Sequence, residues 1–411
     1  MFSNQISRLK KFTNQYPRQL WALVTIFAID RFGGGLLFPF LTLYITKKFH
    51  ISMTQVGFLF AIYMLGGFFG STAGGALSDN LGRKITAVMG LVASAACNLL
   101  LGFSNDITTF SVIAFFAGIF GSMGHPAWTA MIADLLPEQQ RSEGYAILRV
   151  AANLSIAIGP AIGGILAGIN FMLLFILDAA ISLIAAIFLI LFIHETLAIN
   201  HQVREKEPFL VSIGGYTTVF TDKAFMVFIL ISTVSVLAYA QMNTTLGVYL
   251  RDTHSIPERN YGLLISLNAG MVVLFQYAIT RRLRGYPPLL VMAFGTILSG
   301  LGFSMYGYTT TYPFFLLAMV IITLGEMVIV PISSSLVAKF SLEEMRGRYM
   351  AVYGLSYMIP ETLGVTLGGI VMDNFDPRLL WYFTGALALL SAFGYYWMHR
   401  HIQMPAGAEN A

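Results

Sequence analysis

The 411 residues are 56% hydrophobic and only 11% charged, with a mean hydropathy of +0.72, whereas a soluble domain carries roughly 25% charged residues. This balance excludes a soluble globular fold and makes the lipid bilayer the chain's main partner. The net charge of +4 comes from bases spread through the connections between apolar runs, with no single basic patch, so nucleic acid is not an expected partner.

In chain order, about twenty polar and basic residues come first, without a short apolar core and small-residue cleavage site, so the first helix is expected to stay in the mature protein. Twelve apolar runs follow, near 19–46, 54–78, 85–104, 108–134, 144–168, 171–194, 224–250, 260–281, 288–308, 312–338, 347–373 and 378–398. Each reaches the ~20 residues that a helix needs to cross a bilayer. Runs this long and uniformly apolar fit helices and not the alternating strands of a membrane barrel, so the fold class is an all-α membrane protein of twelve transmembrane helices. The single Cys97 lies inside an apolar run and reads as a small buried residue.

An even number of spans puts both termini on one side. The connections on that side hold seventeen Lys and Arg against five on the other, which predicts that both termini are cytoplasmic. The longest polar connection contains His201, Arg204, Glu205, Lys206, Glu207 and Pro208. It divides the chain into six-helix parts at 1–194 and 222–411, joined by a cytoplasmic linker at 195–221. One offset of 205 residues aligns the two parts, placing Tyr44 on Tyr249, Gly57 on Gly262, Pro126 on Pro331, Arg141 on Arg346, Gly159 on Gly364 and Gly163-Gly164 on Gly368-Gly369.

Between the second and third runs, Gly75-Ala-Leu-Ser-Asp79-Asn-Leu-Gly82-Arg83-Lys84 sets an acid and two bases in a short turn. The pattern resembles the loop that joins the second and third helices of major facilitator superfamily transporters. That resemblance, with the parallel duplication, implies two pseudo-symmetric six-helix bundles and a substrate site near the midplane between them. It also implies that the turn is a conformational latch of the outward-facing state. Asp134 and Arg141 at the end of the fourth run belong to the same charge belt, and Asp79 is expected to meet a helix N-terminus and an Arg such as Arg141. For Lys84 and Arg348 the plainer reading is a solvated helix end.

The fifth run carries Ser155-Ile-Ala-Ile-Gly159-Pro160-Ala-Ile-Gly163-Gly164. It resembles the fifth-helix motif of the drug-proton antiporter branch, with Ser155 in place of its first Gly. Small residues four apart let helix backbones approach closely, and Pro160 removes a backbone donor.

Ionisable residues deep in the runs are Asp30, Arg31, His125, Arg149, Asp178, Glu326 and Glu361. A charge there costs ~2.5–3.5 kcal/mol even on lenient scales, so each should face a cavity or a partner. Neighbours on a helix point about 100° apart, so Asp30 and Arg31 are expected to have different partners. Asp30 and Glu326 are the candidates for proton binding, with Arg31 and Arg149 tuning them; Arg149 can also snorkel to the near face. Asp178 and Glu361 serve equally well as structural partners of an Arg. The antiporter branch carries an Arg within the fourth helix, whereas this chain has none between Asp106 and Asp134. His125 is the ionisable residue there, and its imidazole titrates near neutrality.

A second resemblance begins at Asp30-Arg31-Phe32, which is similar to the Glu-Arg-Phe cluster of proton-coupled oligopeptide transporters, although Gly33-Gly34-Gly35 follows it here. Candidate cavity residues are Phe38, Tyr63, Trp128, Tyr239, Gln241, Met242, Asn243, Asn268, Gln276 and Tyr357. Aromatic, Met and amide side chains suit an amphipathic organic molecule. The expected function is proton-coupled secondary transport of such a small molecule, most like multidrug export, by alternating access. Alternatives are a proton-coupled importer of peptides or other small metabolites, and a receptor or scaffold that kept the fold. No enzyme activity, cofactor or metal site is expected. The chain is expected to act as a monomer in the plasma membrane, the inner membrane, of a prokaryotic cell.

Overall fold

The computed structural model describes residues 15–137, 140–197, 217–283, 285–341 and 345–402. Most of the expected linker, residues 198–216 with its charged run, lies outside them. All twelve apolar runs form helices: α1 Arg18–Phe49, α2 Met53–Leu81, α3 Arg83–Phe103, α4 Ile107–Leu135, α5 Glu143–Ile169, α6 Met172–Phe192, α7 Lys223–Thr244, α8 Glu258–Leu283, α9 Pro288–Tyr308, α10 Tyr312–Phe340, α11 Arg348–Asn374 and α12 Arg378–His401. Each is long and apolar enough to cross a membrane, and the described residues contain no strand. Helices satisfy their backbone donors internally, which hydrocarbon demands.

Three helices depart from regularity where the sequence removes or relaxes a backbone bond. A 3-10 turn, Phe38–Phe40, interrupts α1 at Pro39, because proline has no N–H to continue the ladder. In α4 the break falls at Gly124, just before Pro126. The run expected at 224–250 ends as a helix at Thr244, and after Thr245 a short helix, Leu246–His254, continues it. Phe40 and Thr245 are related by the 205-residue offset, so the first helix of each half breaks at the same place.

Two compact units emerge from the packing. One comprises Met1–Phe40 with Ala61–Asn200, and the other Leu41–Phe60 with His201–Ala411. In the first unit α1 packs on α5 and α6, and α3 on α4 and α6; in the second α7 packs on α11 and α12, and α9 on α10 and α12. The pairings obey the same offset, so the duplication extends from sequence to packing. Small residues set the closest approaches. A side chain at Gly159 would stand 2.7 Å from the Gly35 backbone, and one at Gly163 would meet Leu36 and Phe40. Ser155 Oγ donates to the Ala28 carbonyl at 2.8 Å, so Ser in place of Gly adds a bond across the same seam. In the second unit Gly364 and Gly368 admit Gln241, whose Nε2 donates to the Gly364 carbonyl at 2.9 Å.

Residues 41–60 are fastened to the second unit by polar contacts. The Asp373 carboxylate accepts from the Met53 amide at 3.0 Å, the Thr54 amide at 2.8 Å and the Thr54 hydroxyl at 2.6 Å, and so caps the start of α2. Arg251 donates to the Leu43 carbonyl at 3.0 Å and to Thr46 Oγ1 at 3.1 Å, and Lys47 pairs with Glu258 at 3.3 Å. Near the chain start, the Tyr16 hydroxyl donates to the Glu143 carboxylate, and that hydrogen bond pushes the Tyr16 phenol up from its ordinary value.

Two stability outcomes follow. Replacing a capping carboxylate costs ~0.5–2 kcal/mol, so Asp373→Ala should lower the thermal midpoint of the purified protein while Asp373→Asn keeps part of it; equal midpoints for all three would contradict the cap. Gly159→Val should cost ~1–3 kcal/mol through overpacking, read as a lower midpoint, whereas Gly168→Val, where nothing lies within 4 Å of an added carbon, should cost less.

Candidate functional site

The embedded charges of the first unit gather where α1, α3 and α6 meet. Asp30 is buried. Its Oδ2 accepts from Arg31 Nη2 at 2.9 Å, and its Oδ1 accepts from Ser182 Oγ of α6 at 3.0 Å. The expectation of separate partners for Asp30 and Arg31 therefore gives way. Adjacent Cβ atoms do diverge, but the long Arg side chain folds back over the Phe27 ring, 5.2 Å from its centroid, and brings the guanidinium to the neighbouring carboxylate. Asp178 of α6 is 3% exposed. Its Oδ2 accepts from Asn98 Nδ2 of α3 at 2.6 Å, so its partner is an amide and not an Arg. Gly33 makes room for this carboxylate, since a side chain there would stand 2.9 Å from Asp178 Oδ1. The three glycines of α1 thus have three surroundings: Gly33 faces Asp178, Gly35 faces the α5 backbone, and Gly34 has nothing within 4 Å.

The remaining candidates of this unit separate. Tyr63 lies within electrostatic range of Arg31 and Asp178, and His125 within range of Arg31. His125 and Arg149 are both exposed, and neither side chain makes a hydrogen bond or ion pair among the described residues. Arg149 therefore does not touch Asp30. Phe38 is 41% exposed, whereas Trp128 is buried in the apolar core against Phe27, ring centroids 5.5 Å apart, and is a packing residue and not a cavity lining.

In the second unit the carboxylate of Glu326 on α10 accepts from Asn268 Nδ2 of α8 at 2.6 Å, and the Tyr239 hydroxyl of α7 lies close to it. Asn268 also donates to Thr323 Oγ1 at 3.0 Å. No Lys, Arg or His pairs with Glu326 among the described residues. The same unit holds a hydroxyl chain in which Ser333 and Tyr353 share a bond of 2.6 Å and Tyr353 and Tyr357 one of 2.9 Å. Asn243 is half-buried, while Gln241 and Met242 are buried. Gln241 is committed to the α11 backbone, and Gln276 donates to the Met327 carbonyl at 2.8 Å. Glu361 is exposed and bonds to no Arg among the described residues, so the structural ion pair offered for it is not formed.

The charged turn is built around Arg83, which is 9% exposed. Its guanidinium pairs with Asp79 and, at 3.4 Å, with Asp134, and donates to Ser78 Oγ at 3.1 Å. Arg141 does not reach Asp79. Its Nε donates instead to the Ala133 and Leu136 carbonyls at 3.1 and 3.4 Å, closing the end of α4. The carboxylate at a helix start belongs to Glu195, which accepts from the Arg83 amide at 2.9 Å and the Lys84 amide at 3.1 Å. Such a position is worth ~0.3–1 kcal/mol. Gly82 is required here: its φ of +114° lies in the region that favours glycine, and a side chain would collide with Glu195. Lys84 Nζ donates to the Ile190 carbonyl at 2.8 Å, so this Lys ties α3 to α6. Nothing lies within 4 Å of a side chain added at Gly75.

Asn98, Ser182, Glu195, Thr323, Ser333 and Tyr353 complete these arrangements although the sequence alone did not single them out. Asn98 carries the one available signal, a primary amide inside an apolar run. Among the described residues no group of three or more His, Cys, Asp or Glu converges to hold a metal.

This geometry can be set beside known proteins. The model of the Major Facilitator Superfamily matches residues 23–364. The chain is 28% identical over 397 residues to a "Na(+), Li(+), K(+)/H(+) antiporter" of Planococcus maritimus, covering 88% of this chain and 91% of the relative. It is 25% identical over 380 residues to "Multidrug resistance protein 1" of Bacillus subtilis (strain 168), covering 92% and 96%. The crystal structure of a POT family transporter bound to a thioalcohol-conjugated peptide superposes with a TM-score of 0.77 at 17% identity, covering 92% of this chain and 95% of that one, which is a likeness of fold. With a matching family model over most of its length and twelve membrane-length helices whose pairings repeat, the chain belongs to the Major Facilitator Superfamily.

Proposed function

We propose that this transporter moves a small amphipathic organic molecule in exchange for protons, as a multidrug-type exporter working by alternating access. The observation that carries the reading is Glu326, a carboxylate deep in α10 held by the Asn268 amide, with the Tyr239 hydroxyl nearby and no cation paired with it among the described residues. An ionised carboxylate is costly in such surroundings and a protonated one is not, so the group can load and unload a proton as its access to water changes. Tyr239, Tyr353 and Tyr357 give the same region aromatic and hydroxyl surfaces suited to an amphipathic cargo. Asp30 and Arg31 form the charged counterpart in the first unit. The family relatives that bear drug-resistance names support export. The Lys and Arg count supports cytoplasmic termini, the bacterial relatives support a prokaryotic membrane, and a monomer contains every group invoked.

A second reading is cation-proton exchange. It is favoured by the name of the antiporter relative and by the acidic residues embedded in the first unit.

The charged turn is assigned to the control of motion. Arg83, held between Asp79 and Asp134, forms a rigid corner at the end of α2 that can stabilise one of the two access states and not the other.

With protein reconstituted in liposomes, an imposed pH gradient should drive ethidium accumulation, and Glu326→Gln should abolish the gradient-driven part while ethidium still binds. Unchanged accumulation in that variant would sink the role of Glu326. Separately, Asp79→Asn should increase labelling of single cysteines placed on the cytoplasmic side of the cavity; equal labelling would count against the latch.

A further inference from the structure

We infer that Asp178 is a second proton-binding group of this transporter, and that the Asp30–Arg31 pair is its neighbour. Two acids and one base meet in the first unit, which leaves one negative charge without a counter-charge. The structure decides which acid lacks it. Both oxygens of Asp30 are occupied, one by the Arg31 guanidinium at 2.9 Å and the other by Ser182 at 3.0 Å.

Asp178 has no such support. It is the more deeply buried of the two. Oδ2 takes the Asn98 amide at 2.6 Å, and no donor reaches Oδ1 among the described residues. That oxygen lies against α1 where Gly33 has no side chain. The charged and titratable groups facing Asp178 are Asp30 and Arg31 of α1 and Tyr63 of α2. Helix α3 contributes the Asn98 amide and no charged residue along its embedded length, and its Cys97 makes no hydrogen bond or electrostatic contact with Asp178. An ionised carboxylate with one oxygen bare, taken out of water and beside a second acid, is in an unfavourable state. A proton added at Oδ1 removes the excess charge while Asn98 keeps its bond to Oδ2. On release the O–H bond breaks, the electron pair stays on oxygen and the proton leaves to water.

The arrangement repeats a chemical device of the second unit. Asp178 with Asn98 and Glu326 with Asn268 are each a carboxylate held by an asparagine amide at 2.6 Å, without an ion pair. They are not related by the 205-residue offset, so the likeness is not inherited from the duplication. Both use a neutral donor that serves the charged and the protonated carboxylate alike. An Arg in its place would hold the acid ionised and prevent exchange.

This assignment rests on the proton-coupled reading above, and one experiment separates the two. Ethidium accumulation in liposomes is measured under an imposed pH gradient for the wild type, Asp178→Asn and Asn98→Ala, with ethidium binding at equilibrium and size-exclusion profiles as controls for folding. If the wild type shows no gradient-driven uptake, the proton-coupled reading itself fails. If the wild type accumulates the dye, Asp178→Asn should lose the gradient-driven part and keep dye binding, and Asn98→Ala should displace the pH profile of uptake. Full accumulation with the wild-type pH profile in Asp178→Asn would overturn the inference. So would loss in Asp178→Asn of uptake driven by a sodium gradient with pH-driven uptake intact, which would make the site one for sodium.

Discussion

The cost of placing charge in hydrocarbon governs this protein. Every embedded ionisable group must find a counter-charge, a neutral hydrogen-bond donor or a route to water, and the choice made at each position sets its chemistry. Asp30 has a counter-charge. Asp178 and Glu326 have asparagine amides, which satisfy an oxygen without fixing the protonation state. Arg149, His125 and Glu361 are exposed. The embedded ionisable groups thus divide into one ion pair, two carboxylates held by amides and three exposed side chains.

The same solvent argument explains why backbone geometry is so regular and where it is not. Helices leave no polar backbone group for lipid to solvate, and two of the three irregularities fall beside Pro39 and Gly124. The breaks at Phe38–Phe40 and Thr245 occupy equivalent places in the two halves. The first coincides with the boundary at which the chain passes from one compact unit to the other. Beyond it, Asp373 and Arg251 hold residues 41–60 through helix-end contacts. Seams of small residues let α1 approach α5 and α7 approach α11 closely within each unit.

Much of this was legible in the chain. The twelve spans followed from hydropathy, the duplication from one offset, and the position of the charged turn at Gly75 to Lys84 from charges confined between apolar runs. Pairings were less legible, for physical reasons. The Arg31 side chain is long enough to defeat the rule that neighbours diverge, so its bond to Asp30 depends on a rotamer that sequence does not display. Arg141 turned to carbonyls at its own helix end, and Glu195 took the helix start that Asp79 was expected to serve, because the turn at Gly82 aims the α3 amides toward α6. Trp128 sat in a run with polar neighbours yet packs on Phe27. Asn98 and Asn268 were the hardest to read, since an amide in an apolar run gains meaning only when the facing acid is known.

Infrared difference spectroscopy of the reconstituted protein, taken as the pH is stepped from acidic to alkaline, tests the central claim most directly because it observes carboxyl groups themselves. A protonated-carboxyl band should appear and titrate in the wild type, lose part of its intensity in Glu326→Gln and in Asp178→Asn, and lose both parts when the two are combined, while Asp30→Leu should leave a titrating band. A wild type without such a band, or a band of the same size in the double variant, would contradict the account.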